Sequence, residues 1–126
     1  MADFAPALLA RLTGLAGGQV FWSIVPAGKA LPFVRLQTIS DARPEHLKGA
    51  DGARVTRVQA DFFAATPKAA RVLAFAGIAA VAAPATVAGV QFGRTSAEGP
   101  RDLGEDGTQD FIHRASVDLL VNHTGD

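Results

Sequence analysis

Residues 54–84 read RVTRVQADFFAATPKAARVLAFAGIAAVAAP, and the spacing of their apolar side chains changes part-way along. As far as Ala65 the period is two, with Val58, Ala60 and Phe62 on one face and Arg57, Gln59 and Asp61 on the other, the mark of a half-buried strand. Thr66-Pro67 ends that pattern, because Thr is a good helix cap and Pro is tolerated at the first helical position. The spacing then predicts a helix to about Ala83, where Pro84 stops it. A strand with one polar face running into an apolar helix calls for a sheet covered by helices on one side.

The helix raises a question of cover. From Val72 to Val90 no residue is charged, a length that approaches a membrane span. Its many alanines, Gly77, Gly89 and the interrupting Pro84 argue against insertion. Beyond Arg71 the helix offers Val72, Leu73, Phe75, Ile78 and Val81 with alanines between them and no polar side. A helix that is apolar all round needs burial from two directions. The sheet supplies one; the first helix and loops are one source of the other, but a second subunit is expected to supply it through Val72, Phe75, Ala76, Ile78 and Ala79, where small side chains allow close approach.

Outward from this segment the chain reads as one domain over residues 1–126, of mixed α/β (α+β) class. Phe4, Leu8, Leu12 and Leu15 recur at helical spacing, with Asp3 as cap and Gly17-Gly18 as stop. Gln19–Val25 is rich in β-favouring residues, and Trp22 within it is an anchor for the core or an interface. Phe33–Ser40 alternates, Ala85–Phe92 is expected as a fourth strand, and Asp110–His123 as a fifth. The order is therefore α-β-β-β-α-β-β, a mainly antiparallel sheet of about five strands against two helices. Residues 41–53 and 93–109 are expected to be long polar loops.

The last strand repeats the charge order of the third, Arg114-x-Ser116-x-Asp118 against Arg57-x-Gln59-x-Asp61. Antiparallel pairing then sets Arg57 opposite Asp118, Gln59 opposite Ser116 and Asp61 opposite Arg114, with Val58 beside Val117 and Ala60 beside Ala115. Such a row reads as structural, selecting register rather than performing chemistry.

Composition narrows the function. Twelve Lys and Arg balance twelve Asp and Glu, which removes the basic surplus that strong nucleic-acid or anionic-lipid binding requires. With no cysteine there is no disulfide, thiolate metal site or thiol nucleophile. Met1-Ala-Asp-Phe-Ala-Pro6 has neither the positive flank nor the apolar run of a secretory signal, and Asn122-His-Thr124 is a chance glycosylation match. His46, His113 and His123 lack metal-ligand spacing, and His113 and Ser116 fall on opposite strand faces. The acids Asp102, Glu105, Asp106 and Asp110 lack the ligand pattern of a calcium loop. Gly49-Ala-Asp-Gly52 reads as a turn, not as an RNA clamp. No catalytic, cofactor or metal site is expected.

Ala30-Leu-Pro-Phe-Val34 before the second strand, Arg57-Val-Gln-Ala-Asp61 with Ala65-Thr66 leading into a helix bearing Ala70, Arg71, Leu73 and Ala74, and Arg114-Ala-Ser-Val-Asp118 in the last strand share their order and spacing with a known family. In these respects, from Phe4 to Val121, the chain resembles the tail-completion or tail-terminator proteins of long-tailed bacteriophages and gene transfer agents. The resemblance implies a non-enzymatic virion assembly protein that forms a ring of six. Such a ring caps the tail tube, stops its polymerisation and joins it to the head-side connector, while DNA passes through without specific binding. It implies a place in the tail of a phage-like particle, with assembly in the bacterial host cytoplasm. Arg43, His46, Lys48, Arg94, Arg101 and Asp102, polar residues on the two long loops, are the candidate contacts to tube and connector. The sequence leaves open another neck or minor tail component, or a small ligand-binding or enzymatic domain that uses the polar sheet face.

Overall fold

The computed structural model describes residues 3–42, 54–106 and 111–124. The element order is α1 (Phe4–Leu12), β1 (Val20–Trp22), β2 (Phe33–Ala42), β3 (Arg54–Ala64), α2 (Pro67–Ala82), β4 (Ala85–Val87), β5 (Val90–Phe92), β6 (Ser96–Asp106) and β7 (Phe111–Thr124). A short 3-10 turn at Ala16–Gly18 joins α1 to β1. The fold is mixed α+β, as expected, with two more strands than the sequence pattern showed.

Both additions have a local cause. The stretch expected as one strand at 85–92 is a hairpin, because Ala88 and Gly89 both take positive φ (49° and 84°) and turn the chain between β4 and β5. That sign at both central residues suits a tight two-residue turn whose twist matches the strands. The stretch expected as a loop at 93–109 contains β6, which pairs with β7 from Ser96↔Leu120 to Asp106↔Phe111. Gly99 and Pro100 hid it, and they occupy the bulge between Glu98 and Arg101, where strands accept such residues. The first expected long loop is shortened too, since Asp41 and Ala42 belong to β2.

The sheet runs β1-β2-β3-β7-β5-β4, and β6 also pairs with β7. Among the described residues all pairs are antiparallel except β1 with β2. The two helices lie on one face. Val34, Leu36, Val58, Ala60, Phe62, Ala115, Val117, Leu119 and Val121 point to that side and form the core with Phe4, Ala7, Leu8 and Leu12 of α1. Asp3 accepts from the Ala5 amide at 3.2 Å and Thr66 from the Ala69 amide at 3.1 Å, so both helices carry the side-chain caps that the sequence predicts. At the other end of α2, Arg11 Nη2 donates to the Ala83 carbonyl at 2.7 Å and the Thr95 amide to the Ala82 carbonyl at 3.2 Å. These bonds satisfy carbonyls that a helix end leaves open. Burial holds the Arg11 guanidinium below its usual pKa.

Helix α2 meets the sheet through Ala70, Ala74, Gly77 and Val81, all buried. Gly77 sits directly over Phe62, so close that an ideal Cβ there falls 2.5 Å from Phe62 Cζ. No described helix is long and apolar enough to cross a membrane.

Candidate functional site

The face of the sheet away from the helices carries the polar row, in a register two residues from the expected one. Arg57 lies opposite Leu120, Gln59 opposite Asp118 and Asp61 opposite Ser116, while on the core side Val58 meets Leu119, Ala60 meets Val117 and Phe62 meets Ala115. Core packing explains the difference. The observed register sets the large Phe62 against small Ala115 and small Ala60 against Val117, whereas the expected one sets Ala60 against Ala115 and crowds Phe62 against His113. The expected charge partners still meet, because arginine reaches a diagonal neighbour: Arg57 to Asp118 at 2.9 Å and Arg114 to Asp61 at 3.8 Å.

The pairings build ranks that run across four strands. One rank is Arg35, Asp61, Ser116 and Arg101; the next is Gln37, Gln59, Asp118 and Glu98. Asp61 is fully buried although no described helix covers this side. Its own neighbours enclose it: Arg35 at 2.9 Å, Gln59 Nε2 at 3.1 Å from each carboxylate oxygen, and Arg114 beyond. Phe63 and Phe33 stack at 4.8 Å beside this cluster, and the guanidiniums of Arg35 and Arg114 lie over the Phe63 ring at 5.4 and 5.9 Å. Asp118 takes Arg57 at 2.9 Å and Arg101 at 3.4 Å, and Glu98 takes Arg57 at 3.4 Å. Of these carboxylates Asp61 alone is sealed from solvent, and its partners hold it as a structural clamp. Ser116 Oγ is buried with no hydrogen-bond partner among the described residues.

The other exposed feature is the outward side of α2. Val72 and Phe75 are 59% and 54% exposed, and Ala76 and Ala79 are exposed beside them. Ile78, expected with this group, is half-buried against the core. Lys68 and Arg71 flank the ridge, and Arg71 pairs with Asp102 of β6.

The expected loop contacts divide three ways. Arg43, His46 and Lys48, with the Gly49–Gly52 turn, lie outside the described residues. Arg94 is exposed and its carbonyl accepts from Asn122 Nδ2 at 2.8 Å. Arg101 and Asp102 are exposed, but on strand β6 and ion-paired within the chain. Among the described residues no group of three or more His, Cys, Asp or Glu is placed to hold a metal ion. His123 is buried, 2.7 Å from Thr56 Oγ1 and stacked on Phe4 at 4.3 Å.

The same arrangement of elements occurs in a solved structure. Over 96% of this chain and 92% of the other, the fold is similar to that of a chain in a structure described as "Virion of native gene transfer agent (GTA) particle", with a TM-score of 0.67 and 18% identity. At that identity it is the fold that is shared. No family model and no curated protein matches the chain.

Sequence reasoning missed two members of the charge network, Arg35 and Glu98. Arg35 has a readable signal, since it alternates with Val34 and Leu36 on a strand next to Asp61. Glu98 is masked by the Gly99-Pro100 bulge that follows it.

Proposed function

We propose that the chain is a structural subunit of a phage-like particle, and within it a tail terminator: a ring, six copies in the family it resembles, that caps the tail tube. The fold likeness to a chain of the gene transfer agent virion, spanning nearly the whole of both chains, carries this reading. The α2 ridge is consistent with it, because Val72 and Phe75 are apolar side chains that the chain itself leaves to solvent. The enclosed Asp61 of the polar face favours structure over catalysis.

On this reading ring closure covers α2. The ring occupies the growing end of the tube and offers no equivalent surface above, so polymerisation stops there. Its partners are other copies of itself, the tail tube protein and the head-side connector, and DNA crosses the lumen without specific contacts. Arg94, exposed between β5 and β6, is a candidate contact to one of these partners. Adding the protein to polymerising tail-tube subunits tests the proposal: tubes shorten and carry density at one end in electron micrographs. Unchanged tube lengths with bare ends reject it.

A further inference from the structure

We draw no further inference here: the strongest candidate, the groove on the outward side of α2 between Pro67, Lys68, Arg71, Val72 and Phe75, carries none, because Arg71 is already paired with Asp102 of the same chain and nothing in the structure shows what covers the exposed apolar side chains.

Discussion

Adding one methyl group at Gly77 should unseat α2. An ideal Cβ there lies 2.5 Å from Phe62 Cζ and 2.6 Å from Cε1, whereas carbon atoms in contact settle at about 3.5–4.0 Å. Relief needs a movement of about 1 Å, and Phe62 cannot provide it freely because its ring is buried at the centre of the core. Overpacking of this kind costs about 1–3 kcal/mol, while replacing a helical glycine by alanine returns about 1 kcal/mol of propensity. Gly77→Ala should therefore lower stability by about 0–2 kcal/mol, or the melting temperature by up to about 8 °C for a chain of this size. Urea unfolding followed by circular dichroism at one fixed protomer concentration measures it, because self-association otherwise shifts the midpoint. Trimming the ring with Phe62→Leu in the same background should recover part of the loss, a coupling of about 1 kcal/mol or more. A Gly77→Ala protein as stable as wild type, with additive behaviour in the double variant, would refute the packing argument.

Asp61→Ala removes the acceptor shared by Arg35, Gln59 and Arg114, and because the two arginines keep some solvent the loss should be about 2–4 kcal/mol in urea midpoints, against less than about 0.5 kcal/mol for exposed Glu98→Ala. Ser116→Ala removes a buried hydroxyl without a described partner, so thermal unfolding should show equal stability or a gain of about 1 kcal/mol; a loss above that would mean the hydroxyl is bonded. Gly99→Ala adds a Cβ 2.9 Å from the Ser116 carbonyl oxygen at a φ of 111°, a backbone region that penalises side chains, and should cost at least about 2 kcal/mol and raise amide exchange along β6. Thr66→Ala deletes the cap on the Ala69 amide and should cost about 1 kcal/mol in the same titration.

The elements legible in the sequence were those whose pattern is set by local chemistry. Thr66-Pro67 and Pro84 bracket α2 because a cap, a fixed φ and a missing amide act within a turn or two of themselves. The alternation in β2, β3 and β7 is legible because one face meets the helices and the other does not. Strand β6 was not, since its partner is the last strand and its middle is a Gly-Pro bulge. The same holds for the register of β3 on β7. Charge order suggested one solution, and arginine reach makes that charge argument nearly indifferent to a shift of two, so the decision falls to Phe62 and Ala115 in the core. Of the candidate surface, the α2 ridge was visible as an excess of apolar side chains. The exposure of Ile24 and Ile39 was not, because it depends on where β1 stops along β2.

The two outer surfaces call on different physics, which bears on how the chain could fold alone and still join the proposed ring. The sheet face closes its charges on itself: Asp61 and Asp118 are held by arginines of the same chain, so they set geometry without asking for a partner. Ion pairs of this kind contribute about 0–1 kcal/mol each where solvent reaches them, and salt weakens them. The α2 ridge gains from burial of apolar area, which is nearly blind to salt and available only when another molecule arrives. Added salt should therefore erode the fold of the isolated chain slightly while leaving association through Val72 and Phe75 largely unchanged. If salt dissolved the proposed multimer before it loosened the fold, charged groups rather than the apolar ridge would be carrying the contact.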